Sequence, residues 1–242
     1  MRAWIKEKIQ LYLKSHGLRI TYDRDDRVLS DFDLLTLLLE ANDLKSNQIR
    51  SIVQIGANDG LVVDPVVNLI NKSDARAFLL EPLPDRYEKL ASLYADNRRV
   101  TTIRAALNDT NGEAILWRVA PDNESLANLS VYSSFDRSKL ERQYSAYAGL
   151  GGRIIGETVQ SLTAEAFIEK YNLETIDLLQ VDTEGWDARV VNWFLDCEIP
   201  IRAINYEHVH LYGAEDSGLI SRLKGKGYRL ARYGLDTTAI LD

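Results

Sequence analysis

The sequence predicts a doubly wound α/β fold: a mostly parallel sheet, an antiparallel strand pair at its C-terminal edge, and a helical extension ahead of it. Three observations carry this. From Ser51 onward, short apolar runs alternate with stripes at helical spacing, the pattern of parallel strands joined by crossover helices. The first run ends in a glycine-containing turn, Gly56-Ala57-Asn58-Asp59-Gly60, and the second ends in an acid, Glu81. Two further runs, separated by Gly234-Leu235-Asp236, close the chain as an antiparallel hairpin would.

Taken in order, residues 1–50 lack strand-like alternation and read as the helical extension. Trp4, Ile5, Ile9, Tyr12 and Leu13 form one stripe, and Phe32, Leu34, Leu35, Leu37, Leu38 and Leu39 a second, each with helical periodicity. Ser30 and Asp33 stand where a capping pair would open the second helix. Arg2, Lys6, Lys8 and Lys14 suit a membrane-surface or partner helix, but a helix covering the body of the domain explains the pattern equally well. The domain proper, 51–242, begins with the strand Ser51–Ile55, followed by runs at 77–80, 100–103, 176–181 and 201–206. Pro84 opens a helix whose Tyr87, Leu90, Ala91 and Tyr94 share one face. Thr163 caps another, with Leu162 and Phe167 placed to pack across its first turn, and Trp186, Val190, Trp193 and Phe194 stripe the next. The closing strands are Tyr228–Tyr233 and 237–241; the longest stretch without a pattern runs from 120 to 156.

Composition limits the functional classes. Of 242 residues, 45% are hydrophobic and 27% charged, which describes a folded chain. Thirty-six acidic against 29 basic residues give a net charge of −7, so the surface repels phosphate backbones and a general nucleic-acid binder is excluded. The interleaved Lys224, Lys226, Tyr228, Arg229, Arg232 and Tyr233 read as a solvated sheet edge rather than an RNA-facing strip. Cys197, the one cysteine, allows neither an intrachain disulfide nor a cysteine zinc cage, and suggests a reducing, cytoplasmic setting. No apolar run approaches a membrane span, and charged residues near the start argue against a signal peptide.

The chemistry is expected at the carboxyl ends of the strands. Glycines let backbone turn sharply and approach a ligand. Glu81, 21 residues beyond Gly60, stands where an acid accepts hydrogen bonds from both hydroxyls of a ribose. A dinucleotide site would place a glycine where Asn58 stands, and no phosphate-loop lysine follows, so a nucleoside without pyrophosphate fits best; S-adenosylmethionine is one. Asp182 and Glu184 after the fourth strand and Glu207 and His208 after the fifth face the same crevice. His208 is the leading general base, with Glu207 as a neighbour able to fix its tautomer. Asp182 either steers cofactor and acceptor or serves as a helix N-terminal carboxylate. Asp182, Glu207, His208 and His210 also have metal-ligand chemistry, but no two-histidine helical motif accompanies them and no metal is assigned.

Several motifs in one order resemble the FkbM family of S-adenosylmethionine-dependent methyltransferases: Val53-Gln54-Ile55-Gly56-Ala57-Asn58-Asp59-Gly60, Asp64-Pro65, Leu80-Glu81-Pro82, Ala105-Ala106-Leu107-Asn108-Asp109, Ser133-Ser134, Ile176 through Gly185, Tyr206-Glu207-His208 and Asp236-Thr237-Thr238-Ala239. The resemblance covers 51–241 and implies a Rossmann-like class I methyltransferase fold with S-adenosylmethionine as cofactor. It implies that Gln54, Gly56, Ala57, Asn58, Asp59 and Gly60 surround the methionine part, with Glu81 and Pro82 at the ribose, Ala106 and Asn108 near the adenine, and Ser134 and Asp182 close to the cofactor. Gln54 replaces the acid many methyltransferases carry there. The family's acceptors are hydroxyls on glycans or small secondary metabolites, and a homodimer is compatible with it. Fold alone never fixes function, and the residues leave two other readings open: a nucleotide-dependent oxidoreductase, and a non-catalytic S-adenosylmethionine-binding partner protein.

Overall fold

The computed structural model describes residues 21–22, 28–29, 34–61, 64–120, 133–143 and 153–241. In chain order they form β1 (Thr21–Tyr22), β2 (Val28–Leu29), α1 (Leu34–Glu40), β3 (Ser51–Ile55), α2 (Val67–Lys72), β4 (Arg76–Leu80), α3 (Pro84–Leu93), β5 (Val100–Ile103), β6 (Ala106–Leu107), β7 (Gly112–Val119), β8 (Ser133–Ser134), α4 (Arg137–Gln143), β9 (Ile154–Leu162), α5 (Ala164–Tyr171), β10 (Ile176–Val181), α6 (Asp187–Asp196), β11 (Ile201–Glu207), α7 (Ala214–Gly225), β12 (Tyr228–Tyr233) and β13 (Asp236–Leu241).

The main sheet has the order β12-β13-β11-β10-β3-β4-β5. Strands β3, β4, β5, β10 and β11 run parallel, and β13 is antiparallel to both β11 and β12. The chain moves from β3 outward to β4 and β5, then returns to β10 on the other side of β3. The carboxyl ends of β3 and β10 therefore flank a topological switch point, the crevice where sheets of this kind bind ligands.

Alternation with period two sends successive side chains to opposite faces. Ile52, Leu79 and Leu178 pack with Leu39, Leu69 and Leu90 from α1, α2 and α3. On the other face, Val53, Phe78, Leu179 and Ile204 pack with Phe167, Phe194 and Leu223 from α5, α6 and α7. All six residues of β10 are buried, as a central parallel strand requires. Local signals agree with the elements: Pro84 occupies the first turn of α3, and Thr163 Oγ1 accepts a hydrogen bond from Ala166 N at 3.2 Å to cap α5.

Three features differ from the sequence reading. A two-residue antiparallel pair, β1 with β2, lies in the segment read as purely helical; α1 matches the second apolar stripe, while the first stripe, Ser30 and Asp33 lie outside the described residues. Helices α2 and α7 go beyond that reading. A second sheet, β6-β9-β7-β8, also goes beyond that reading; within the stretch read as irregular it takes in β8 and the start of β9. Strands β7 and β9 pair antiparallel from Gly112↔Ser161 to Val119↔Ile154, and α4 follows β8. Residues 121–132 and 144–152, with Tyr132, Tyr144, Tyr147 and the glycines at 149, 151 and 152, lie outside the described residues. No helix among the described residues is long and apolar enough to cross a membrane.

Candidate active site

The turn after β3 is built by close backbone contact. Gly56 has φ +82°, and a Cβ there would lie 1.8 Å from the carbonyl oxygen of Asp182, so neither conformation nor space admits a side chain. Asn58 also has positive φ, at 50°. The turn is tied to both neighbouring strands: Gly56 N and Ala57 N donate to Leu80 O, and Asp182 N donates to Ile55 O.

Glu81, 5% exposed, secures the turn from the side. Its Oε2 accepts from Asn58 N at 2.9 Å and its Oε1 from Leu83 N at 2.8 Å. Each oxygen retains a further lone pair for a ligand hydroxyl. Burial pushes its pKa up to about 7 against the opposing effect of these two bonds.

Beside it, Gln54 Nε2 donates to Asp64 Oδ1 at 3.2 Å, and Val66 N donates to the same oxygen at 2.9 Å. Gln54 Oε1 and Asp64 Oδ2 are buried and accept no hydrogen bond among the described residues. Burial raises Asp64 to about 6. Two orphaned acceptors side by side call for a donor. Gln54 also starts a polar row across the sheet: it is in register with Gln180, which is in register with Asn205 and then Thr238. Asn205 Nδ2 donates to Gln180 Oε1 and Thr238 Oγ1 to Asn205 Oδ1.

The acidic wall comes from the ends of β10 and β11. Asp182 is open to the cleft but set deep in the protein; that depth, then the charges of Glu184 and Glu207, raises its carboxyl well above the ordinary range. Glu207 is raised by burial and by the charge of Glu184. His210 Nε2 lies 3.1 Å from Glu184 Oε2 and 3.6 Å from Glu207 Oε2. Burial alone would lower His210, but the bond to Glu184 and the charge of Glu207 more than offset this and raise it. His208 is held low by burial and by Arg232, and its Nδ1 is hydrogen-bonded to Thr237 Oγ1 at 3.2 Å. Phe135 and Trp186, whose rings meet edge to face at 5.2 Å, complete the cleft on the side of the second sheet.

The profile of the Methyltransferase FkbM domain matches residues 54–230 of this chain. The chain belongs to the FkbM methyltransferase family. Its cofactor is accordingly S-adenosylmethionine. Among solved structures, the chain is similar to an FkbM methyltransferase from Methylobacillus flagellatus KT, with 10% identity and TM-score 0.49 over 79% of this chain and 43% of that one. It is also similar to a precorrin-6y C5,15-methyltransferase from Geobacter metallireducens GS-15, with 11% identity and TM-score 0.45 over 92% and 94%. A third is fibrillarin from Aeropyrum pernix, solved with natively bound S-adenosyl-L-methionine, with 12% identity and TM-score 0.44 over 92% and 82%. No curated protein matches the sequence.

The FkbM cleft fits its cofactor on three points of this structure. Gly56, packed against the Asp182 backbone, brings bare main chain to the cleft wall. The spare lone pairs of Glu81 suit two ribose hydroxyls. Gln54 Oε1 and Asp64 Oδ2 supply the acceptors an ammonium needs, so Asp64 provides the charge that Gln54 does not.

Of the residues expected at the cofactor, Gln54, Gly56, Ala57, Asn58, Glu81, Pro82, Ala106, Ser134 and Asp182 line the cleft. Asp59, Gly60 and Asn108 do not. Asp59 accepts from Leu61 N and faces Arg86, which stabilises the turn. A Cβ at Gly60 would meet Leu90 and Leu93 of α3. Asn108 caps its own turn by accepting from Asp109 N. Of the expected catalytic residues, Asp182 lines the cleft, whereas Glu207 and His208 do not. Trp186, read as core, is a cleft residue. The sequence reading gave no role to Gln180 or Arg86, which also line the cleft, and left His210 unplaced; only contacts between distant segments reveal these three.

Proposed function

We propose that the protein transfers the methyl group of S-adenosylmethionine to a hydroxyl oxygen on a glycan or small secondary metabolite. The observation that carries this is Asp182, a carboxylate on the wall of the cofactor cleft at the switch point of the sheet. The preference for oxygen rests on the family resemblance. When bound, the cofactor supplies a methyl group on a sulfonium sulfur.

The residues of the chain hold, orient and deprotonate. Gln54 and Asp64 hold the amino-acid end, and Glu81 holds the ribose. Phe135 and Trp186 offer flat apolar surface to the acceptor. Asp182 would take the hydroxyl proton of the acceptor as its oxygen receives the methyl group that a bound cofactor would supply, the carbon–sulfur electron pair staying with the departing sulfur. Glu207 and His208 are outside the cleft lining; with one ring nitrogen engaged by Thr237, His208 is the weaker contender for the first proton. Cys197, a free thiol whose Sγ donates to Trp193 O, is consistent with a cytoplasmic site of action.

The test is incubation with methyl-labelled S-adenosylmethionine and parallel panels of hydroxylated and amino acceptors. Alkali-stable methyl ethers among the hydroxylated compounds support the reading. Label confined to nitrogen overturns it.

A further inference from the structure

The fold brings together Glu184 from the turn after β10, Glu207 from the end of β11, and His210 from the loop beyond it. One ligand atom from each lies within 4.8 Å of the other two, close enough for small side-chain adjustments to bring all three onto a common ion at about 2.0–2.3 Å. We propose that Glu184, Glu207 and His210 form a binding site for a divalent first-row cation beside the cofactor cleft. One imidazole with two carboxylates suits ions from manganese to zinc better than magnesium or calcium, whose preferred donors are all oxygen.

Two further observations point to a ligand here. Glu207 Oε2 is a buried atom that accepts no hydrogen bond among the described residues, on a side chain 12% exposed. His210 Nε2, at 3.6 Å, is beyond hydrogen-bond reach of it, and a buried carboxylate oxygen without a hydrogen bond is costly. The surroundings are also strongly negative: Asp182, Asp187 and Asp236 add their charges around Glu184 and Glu207. The two charges of a divalent cation offset more of that set than the single charge of an imidazolium, and the cation would also reach the unbonded oxygen.

The site bears on the acceptor. Glu184 lines the cofactor cleft, so a cation bound to it sits at the cleft wall. With three protein ligands, positions remain open for oxygens of the acceptor, and adjacent hydroxyls or a hydroxyl beside a carbonyl would be favoured. This last step rests on the methyltransferase reading; cation binding does not.

The experiment titrates the full chain with Mn²⁺ by calorimetry and electron paramagnetic resonance, and in parallel with S-adenosylhomocysteine. The expected result is one Mn²⁺ per chain, weakened about 10- to 100-fold or more in Glu207→Gln and in His210→Gln, with S-adenosylhomocysteine affinity retained. That retained affinity shows that the variants are folded. If either substitution unfolds the chain, Glu207→Asp and His210→Asn take its place. Glu174→Gln, an exposed carboxylate at the opposite end of β10 from the site, should bind Mn²⁺ as the parent does. Binding of S-adenosylhomocysteine without Mn²⁺ overturns the cation site and leaves the cofactor reading standing. Mn²⁺ binding equal in parent and site variants also overturns it, as diffuse attraction to an acidic surface. A chain that binds Mn²⁺ at these residues but not S-adenosylhomocysteine supports the site and defeats the cofactor reading instead.

Discussion

Replacing Asp64 with Asn separates the two ends of the cofactor. Asp64 Oδ1 already serves Gln54 Nε2 and Val66 N, and an Asn carbonyl can keep both bonds. The amide nitrogen then takes the place of Oδ2, presenting a donor where the cofactor ammonium needs an acceptor. Loss of one hydrogen bond to a charged group removes about 1.5–3 kcal/mol, which corresponds to about 10- to 150-fold in affinity. Calorimetric titration of Asp64→Asn with S-adenosylhomocysteine should show that loss. Titration with 5′-methylthioadenosine, which has the nucleoside but no amino-acid end, should give the same affinity as the parent. Folding should not suffer: burial raises the Asp64 carboxyl to about 6, so its charge is unfavourable in the folded state at pH 7.5 and an uncharged isostere relieves it. Equal weakening of both ligands, or no weakening of S-adenosylhomocysteine, would refute the assignment of Asp64 to the amino-acid end.

Glu81 gives a pH signature with opposite signs for binding and folding. Its folded pKa of about 7 lies above its ordinary 4.5, so its contribution to stability is complete below about 4.5 and is lost as pH rises through about 7. The ionised form accepts from the ribose hydroxyls, so affinity for 5′-methylthioadenosine should fall as pH drops from 8 to 6, and Glu81→Gln should flatten that profile; a profile unchanged in the variant would remove Glu81 from the ribose. Gly56→Ala combines φ +82° with a Cβ 1.8 Å from Asp182 O, and should abolish S-adenosylhomocysteine binding and lower the melting temperature; retention of both would contradict the cradle. Asp182→Asn should reduce kcat about 10²-fold or more while S-adenosylhomocysteine affinity stays within a few-fold. His208→Ala should cost less, and the reverse ranking would transfer the proton-accepting role to His208.

The parallel core was legible because its signals are local. Buried strands such as Ile176–Val181 are short apolar runs, and Pro84 and Thr163 mark helix starts through their own backbone and side-chain chemistry. The glycine turn and Glu81 were legible for the same reason, since each follows directly on a strand end. Strand β7 was not, because it inverts the expected alternation: Arg118 is 1% exposed and Ile115 is 46% exposed. What turns Arg118 inward lies elsewhere in the chain: its Nη2 donates to Asp85 Oδ2 at 3.1 Å and its Nη1 to Glu157 Oε2 at 3.3 Å. Asp64 and His210 have the same difficulty. Their deciding partners lie at distances in sequence that no periodicity encodes: Gln54 for the first, Glu184 for the second.

The central claim is that the cleft after β3 and β4 takes an adenosyl sulfonium cofactor. The most direct measurement is calorimetric titration of the full chain with S-adenosylmethionine, S-adenosylhomocysteine and NAD, with Glu81→Ala alongside. The account predicts binding of the first two in the micromolar range, weakened in the variant, and no binding of NAD. Binding of NAD alone would contradict it and assign the cleft to a nucleotide-dependent oxidoreductase.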